Sequence, residues 1–292
     1  MSKIKYINCF GTSFTAGGGF EFDGNSIGRN NFLKSYYSNL DEELTQYNFS
    51  YPGQLQKLLK NIKVFNHAKN GYGNDRMYRL AYDIISSSNF NSEEHIFLLE
   101  FGGLGRKEYW YNEINDFIVL NYWVDWDNYS IKDKVNIAQS YCYDSPAIFN
   151  QLKDEESFFL EFHKKTFDFK NEIKYYEQQI NFFISYLDSK NVNYFLVNEN
   201  HTIDNDKHFT FGDGNIFKQS KDFTKFTNIN GLELDIETNY LYDDKHNGYV
   251  ATKIISQSIY NHLIDVKLLD LEKINIDYEG LLNLKLPKID II

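Results

Sequence analysis

The sequence predicts an α/β protein in which a doubly wound, mostly parallel sheet lies between two layers of helices. Short apolar runs rich in β-branched and aromatic residues alternate with longer segments whose apolar residues recur at helical spacing. Glycine-rich turns follow the first three of these runs. With 42% hydrophobic residues in 292, the chain has enough apolar material to form a large core.

Four apolar runs are predicted as buried strands, because each is short and dominated by branched or aromatic side chains. They cover residues 3–10, 62–65, 95–101 and 192–197. In a doubly wound sheet, the ligand-binding loops lie at the carboxyl ends of the strands. We therefore expect the turns that follow these runs to meet at one edge of the sheet.

Four segments are predicted as helices from the spacing of their apolar residues. The first begins at Pro52, since proline favours the first turn of a helix. The other three cover residues 74–85, 170–187 and 247–264. Each helix follows a strand along the chain, which is the order that a parallel sheet requires.

Residues 1–264 are predicted to form a single domain that carries an aromatic-rich insertion at about residues 105–170. The insertion has no clear hydrophobic period, and residues 201–240 form a second irregular stretch. Residues 265–292 alternate apolar and polar residues in places. We expect them to form short strands or an arm that packs on the domain or on a partner, such as a second copy or a larger assembly.

The chain is acidic, with a formal net charge of −11 and a pI of about 5.1. Nucleic-acid-binding domains usually carry basic patches, so neither nucleic acid nor an anionic membrane is expected as a partner. No apolar run is long enough for a transmembrane helix, and the first residues show no signal-peptide pattern. We therefore expect a cytoplasmic or virion-associated protein.

Cys9 and Cys142 are too few for a disulfide framework or a four-ligand zinc site.

Polar residues that serve nucleophilic catalysis follow the first strand and precede the last helix. Ser13 lies in the turn directly after the first strand, and Asp243 and His246 lie just before the last helix. A histidine can take the proton of a serine hydroxyl, and an aspartate can orient the imidazole. An aspartate and a histidine three residues apart on a turn can approach one nucleophile together.

These segments resemble the sequence blocks of the SGNH (GDSL-like) hydrolases. Gly11-Thr12-Ser13-Phe14-Thr15 resembles the nucleophile block, residues 66–71 resemble the second block, and Asp243-x-x-His246 resembles the last block. The resemblance implies a three-layer, flavodoxin-like fold, with Ser13 as nucleophile and the Gly71 backbone N–H in the oxyanion hole. It also implies that Asp243 and His246 supply the acid and the base, without a metal or an organic cofactor.

The third block departs from the family pattern. Members usually have Gly-x-Asn-Asp there, and the asparagine completes the oxyanion hole, whereas this chain has Gly102-Gly103-Leu104-Gly105. Loss of one oxyanion donor typically lowers turnover by about 10²–10³. Asn74 and Arg106 are the candidate substitutes for oxyanion or substrate binding. Glu108 is the expected partner of Arg106, either within the site or in a structural salt bridge.

Three further groups each have a structural and a functional interpretation. His67 in the second block would contact substrate, although a structural histidine is the more frequent case. His201 and His208, with two aspartates between them, suggest a metal site, but a solvated charge cluster is more frequent and no metal is predicted. The aromatic stretch from Tyr109 to Trp126 would either stack on sugar rings or form core, lid or oligomer contacts.

We expect a serine esterase that hydrolyses O-acyl groups, in particular O-acetyl groups, on a carbohydrate. An acidic surface with aromatic residues suits a neutral polysaccharide better than a membrane lipid. Acyl transfer between sugars would use the same triad. The alternative is a catalytically weak or inactive module that binds glycan or forms part of a larger assembly such as a virus particle. The missing asparagine of block three and the aromatic insertion favour this alternative.

Overall fold

The computed structural model describes the residues in the following ranges: 3–16, 47–48, 50–69, 71–101, 106–112, 116–125, 130–137, 158–197, 225–229, 232–235 and 249–277. In chain order, the strands and helices are β1 (Tyr6–Phe10), α1 (Ser13–Ala16), α2 (Tyr51–Leu58), β2 (Lys63–Asn66), α3 (Asn74–Ser86), β3 (His95–Leu99), β4 (Arg106–Tyr111), β5 (Asp116–Asp125), β6 (Ser130–Ile137), α4 (158–166), α5 (Phe169–Ser189), β7 (Asn193–Leu196), β8 (Lys225–Ile229), β9 (Leu232–Asp235) and α6 (Tyr249–Asp265).

A four-stranded sheet with the order β2-β1-β3-β7 forms the centre of the fold. All three strand pairs are parallel, and the register places Ile7 of β1 beside Val64 of β2 and Ile96 of β3. The predicted α/β fold with a mostly parallel sheet is therefore confirmed. The four predicted strands and the four predicted long helices all occur, with boundaries that differ by a few residues at most.

Helices cover both faces of the central sheet. Successive residues of each strand point to opposite sides, so each strand supplies apolar side chains to both faces. On one face, Ile7 belongs to a buried core that includes Leu55 of α2 and Ile255 of α6. On the other face, Phe10 belongs to a second core that includes Met77 of α3 and Ile184 of α5. The result is a helix–sheet–helix sandwich with two cores.

Helix α2 shows how the local sequence sets an element boundary. The Ser50 side chain caps the helix by accepting a hydrogen bond from the Gly53 backbone N–H at 3.3 Å. Pro52 follows in the first turn, where its missing N–H leaves no helical hydrogen bond unmade. Leu55 and Leu59 are then buried against the sheet, as their spacing predicted.

The expectation of an irregular insertion was wrong for part of that segment. Strands β4, β5 and β6 form a three-stranded antiparallel sheet, and helix α4 follows before α5. Periodicity did not reveal β5, because Ile118, Val119 and Leu120 are buried in succession and break the alternation of a half-exposed strand. Strands β8 and β9 likewise form an antiparallel pair within residues 201–240, which we expected to be irregular.

Residues 266–277 follow α6 and pack beside it. The Asn261 side chain donates to the Ile274 carbonyl at 2.8 Å and accepts from the Ile274 N–H at 2.9 Å. Leu269 is buried in the same core as α2 and α6. Among the described residues, no helix has the length and apolar character needed to cross a bilayer.

Candidate functional site

The strand order places a topological switch point at the carboxyl edge of the central sheet. The chain leaves β1 toward β2 on one side and later returns to β3 on the other side of β1. Ligands of such sheets bind in the crevice outside the strands at this point. Phe10 and Leu99 are paired at the ends of β1 and β3, so the loop with Ser13 and the residues after β3 start side by side.

Glu100, directly after β3, holds the loop that follows β1. Its buried carboxylate accepts hydrogen bonds from the backbone N–H of Thr12 at 3.2 Å and of Thr15 at 2.9 Å. The hydroxyls of Thr12 and Thr15 also donate to this carboxylate. These four donors flank Ser13 in the sequence, and they fix the backbone on both sides of it.

The last residue of β2 joins the same cluster. Asn66 donates from its side-chain amide to the Thr15 carbonyl at 3.1 Å, which links the end of β2 to the segment that follows β1. The Thr15 hydroxyl also lies 3.3 Å from the Tyr51 hydroxyl. Burial raises the pKa of the Tyr51 phenol well above its usual value, and the buried Cys9 thiol adds to this effect. Tyr51 is therefore a neutral phenol at any physiological pH.

The turn between β2 and α3 contains Gly71, the predicted oxyanion donor. Its φ of 78° lies in the left-handed region, which glycine adopts without strain. The next residue, Tyr72, is buried, and its carbonyl accepts a hydrogen bond from Arg106 Nη1 at 3.2 Å. A Cβ on Gly73 would lie 2.7 Å from the Arg106 carbonyl oxygen, so β4 approaches this turn at a distance that only glycine allows.

Arg106 is half-buried at the start of β4. Burial lowers the pKa of its guanidinium, while the Glu100 carboxylate acts in the opposite direction. Glu108, however, forms its ion pair with Arg79 of α3, at 3.1 Å between Nη2 and Oε2. The expected pairing of Arg106 with Glu108 was therefore wrong. The Glu108 side chain instead joins β4 to α3 through Arg79, and Arg106 contacts the turn at Tyr72.

Asn74 begins α3 and is buried, so its side chain is part of the packed interior rather than of an open surface. Burial raises the pKa of the Tyr176 phenol on α5, and a hydrogen-bonding interaction with Asn74 acts in the opposite direction. Of the two candidate oxyanion or substrate-binding side chains, Arg106 donates to the carbonyl of Tyr72, the residue after Gly71, whereas Asn74 is buried at the start of α3.

His67 has the structural role that we expected to be the more frequent case. Its Nε2 lies 3.1 Å from Asn8 Oδ1, and since an amide oxygen only accepts, Nε2 carries the proton. Asn8 in turn donates from Nδ2 to His95 Nδ1 at 3.1 Å. The His67 ring stacks on Phe10. Burial, assisted by Arg76, lowers the pKa of His67 to about 4, so the ring is neutral at pH 7.

The predicted triad is described only in part. Ser13 is the first residue of α1, and the structure describes its backbone alone. Asp243 and His246 lie outside the described residues, as do Gly102 to Gly105 and the loop with His201 and His208. In the described ranges, no cluster of three or more His, Cys, Asp or Glu residues is placed to hold a metal ion.

The sequence analysis missed Glu100, Thr12, Thr15 and Asn66 as members of this cluster. One signal was present: Glu100 interrupts an otherwise apolar run, and a charged residue within such a run is seldom buried without partners.

Comparisons of the chain with protein-family models, with curated proteins and with solved structures returned no match.

Proposed function

We propose that this protein is a serine hydrolase of the SGNH type that cleaves an ester, in particular an O-acyl or O-acetyl group on a carbohydrate. One observation carries the proposal: the loop with Ser13 begins at the switch point of a parallel sheet, and Glu100 holds it there on both sides. Nucleophilic catalysis needs a side chain held in a fixed place at a ligand-binding edge.

In the proposed reaction, the Ser13 hydroxyl attacks the ester carbonyl while His246 takes its proton. The tetrahedral intermediate collapses, His246 gives the proton to the leaving alcohol, and the acyl group remains on Ser13. Water then attacks the acyl-enzyme, with His246 again as base, and releases the carboxylic acid. Asp243 orients the imidazole throughout this sequence.

The negative charge of the intermediate needs donors in place before the reaction. We assign the backbone N–H groups of Ser13 and Gly71 to this task. The N–H groups of Thr12 and Thr15 donate to Glu100. These residues lie on either side of Ser13, so the backbone that carries the Ser13 N–H is held in place. The left-handed conformation of Gly71 also supports the assignment, because it turns the backbone sharply just before α3.

A second candidate function is a glycan-binding or assembly module without catalysis. The aromatic side chains of Trp110 on β4 and of Phe158 and Phe162 on α4 are exposed. Exposed aromatic rings suit both sugar stacking and contacts with another protein. This function would use the insertion rather than the loop of Ser13, so the two candidates make different predictions for a Ser13 variant.

Labelling with a fluorophosphonate probe, read by intact mass and peptide mapping, tests the first candidate. We expect one adduct on Ser13 in the wild type and none in Ser13→Ala. Ser87→Ala is the matched control, since Ser87 is an exposed serine just after α3 and its loss should leave the adduct unchanged. Turnover of short-chain nitrophenyl esters should follow the same pattern. Equal turnover by wild type and Ser13→Ala, or no adduct on Ser13, would rule out the serine hydrolase and favour the binding module.

A further inference from the structure

Three cationic side chains surround Tyr72 on the turn that carries Gly71. The Lys69 ammonium lies 5.8 Å from the centre of the Tyr72 ring, and the Arg76 guanidinium lies 4.9 Å from it. Arg106 donates to the Tyr72 carbonyl at 3.2 Å. Lys69 is exposed, whereas Arg76 and Arg106 are half-buried. The cluster therefore reaches from the surface into the half-buried turn around Tyr72.

None of these three cations forms an ion pair with a carboxylate of the described residues, although the neighbouring cations do. Arg79 pairs with Glu108, and Lys107 lies 3.5 Å from Glu172. The Nε atom of Arg76 is buried and has no hydrogen-bond partner in the part of the chain that the structure describes. A guanidinium removed from water without a partner is costly, so an anion at this position would stabilise the cluster.

Among the described residues near the cluster, the carboxylates of Glu100 and Asp75 already accept hydrogen bonds. Glu100 accepts from Thr12 and Thr15, and Asp75 accepts the Glu108 backbone N–H at 3.1 Å. Their charge partly offsets the cations, but no carboxylate of the described residues contacts the N–H groups of Arg76 or Arg106. In a chain with a net charge of −11, a cationic cluster that no described carboxylate pairs would attract an anion to a protein whose overall charge repels it.

We propose that Arg76 and Arg106, with Lys69 at the rim, bind an anionic group, either a carboxylate or a phosphate. The assignment of this group to the substrate rests on the proposed function, since the three cations surround Tyr72, the residue directly after Gly71. The substrate would then be the acyl ester of an acidic or phosphorylated sugar rather than of a neutral one. Planar guanidinium groups suit both anions, because each can present two parallel N–H donors to a pair of oxygens.

Titration of inorganic phosphate and of glucuronate into the full-length protein, followed by calorimetry at low ionic strength, tests the site. We expect saturable binding of at least one anion by the wild type, and the tighter of the two identifies the group. Arg76→Gln should weaken this binding about tenfold or more, because a charge-assisted contact is lost. Lys60→Gln is the matched control, since Lys60 is exposed, lies before β2 at the opposite edge, and carries the same charge.

Arg106→Lys keeps the charge and removes the planar donors, so it tests the second arginine while keeping the fold. It should also weaken binding, with an unchanged circular dichroism spectrum. Absence of saturable binding, or equal weakening by Lys60→Gln, would overturn the site. Ser13→Ala should bind the anion as the wild type does. Binding without any Ser13 adduct would therefore overturn the hydrolase alone, whereas a Ser13 adduct without binding would overturn the anion site alone.

Discussion

The carboxylate of Glu100 accepts the backbone N–H of Thr15 at 2.9 Å and thereby joins the end of β3 to helix α1. The Thr12 N–H binds the same carboxylate at 3.2 Å. Ser13 lies between these two anchored residues, so its backbone position depends on a side chain that is 87 positions away in the chain. A buried carboxylate with several hydrogen bonds is a strong local constraint, because each donor would otherwise be left unsatisfied.

Glu100→Gln should destabilise the protein. An amide nitrogen cannot accept a hydrogen bond, so some of the four donors of Thr12 and Thr15 would lose their acceptor. We expect the free energy of unfolding to fall by about 2–4 kcal/mol, the cost of leaving buried donors unsatisfied. Urea unfolding of both proteins, followed by circular dichroism, measures this difference.

Glu93→Gln is the matched control for this variant. It makes the same chemical change in an exposed carboxylate whose partner is the exposed Lys3. Exposed ion pairs contribute little to stability, so the unfolding midpoint should hardly move. Equal losses in the two variants would mean that the Glu100 contacts do not stabilise the loop of Ser13.

The burial of His67 should make stability fall in acid. Burial lowers the pKa of His67 to about 4 in the folded protein, against about 6.5 in the unfolded chain. Between these values the unfolded state binds the proton and the folded state does not. The stabilisation is therefore complete above pH 6.5 and is lost as the pH falls toward 4, by up to about 3 kcal/mol.

His67→Gln separates this contribution from the general effect of acid. Glutamine can still donate to Asn8 Oδ1 but does not titrate between pH 4 and 6.5. Unfolding midpoints in urea, measured at several pH values, should show a shallower acid loss for the variant. Parallel curves for the two proteins would contradict the assignment of a buried, neutral His67.

The central sheet could be predicted from the sequence because its strands and helices have strong hydrophobic patterns. Leu55 and Leu59 in α2, or Ile180 and Leu187 in α5, are buried where their spacing placed them. The antiparallel sheet of the insertion could not be predicted in this way, since Ile118, Val119 and Leu120 are buried in succession. A short continuous apolar run does not distinguish a strand from a buried helix.

The site was predictable at the level of loops but not of contacts. Parallel strands bring their carboxyl ends together, so the turns with Ser13 and Gly71 were expected at one edge. The partners of individual charges depend on packing between distant elements. Arg106 contacts the Tyr72 carbonyl, and Glu108 forms its ion pair with Arg79 on α3. Proximity in the sequence had instead favoured an ion pair between Arg106 and Glu108.

The Cys9 thiol should be unreactive in the folded protein. Cys9 is buried in β1, and burial raises the pKa of its thiol, although a hydrogen bond with Tyr51 acts in the opposite direction. In a Cys142→Ser background, a disulfide reagent should label the Cys9 thiol of the folded protein at least about 10³-fold more slowly than that of the protein unfolded in urea. Labelling of the folded protein requires the sheet to open. A native labelling rate equal to that in urea would contradict the burial of Cys9.

Gly73→Ala should separate β4 from the turn before α3. The added Cβ would lie 2.7 Å from the Arg106 carbonyl oxygen and 2.8 Å from the Arg106 Cβ, so the backbone of β4 must move. Overpacking of this kind costs about 1–3 kcal/mol, whereas a methyl group in open space would slightly stabilise the chain. Urea unfolding measures the loss, and Ser88→Ala, an exposed position after α3, is the control. Because the same movement displaces Arg106, Gly73→Ala should also weaken phosphate or glucuronate binding. A variant that unfolds at the wild-type urea concentration would show that β4 does not approach Gly73 closely.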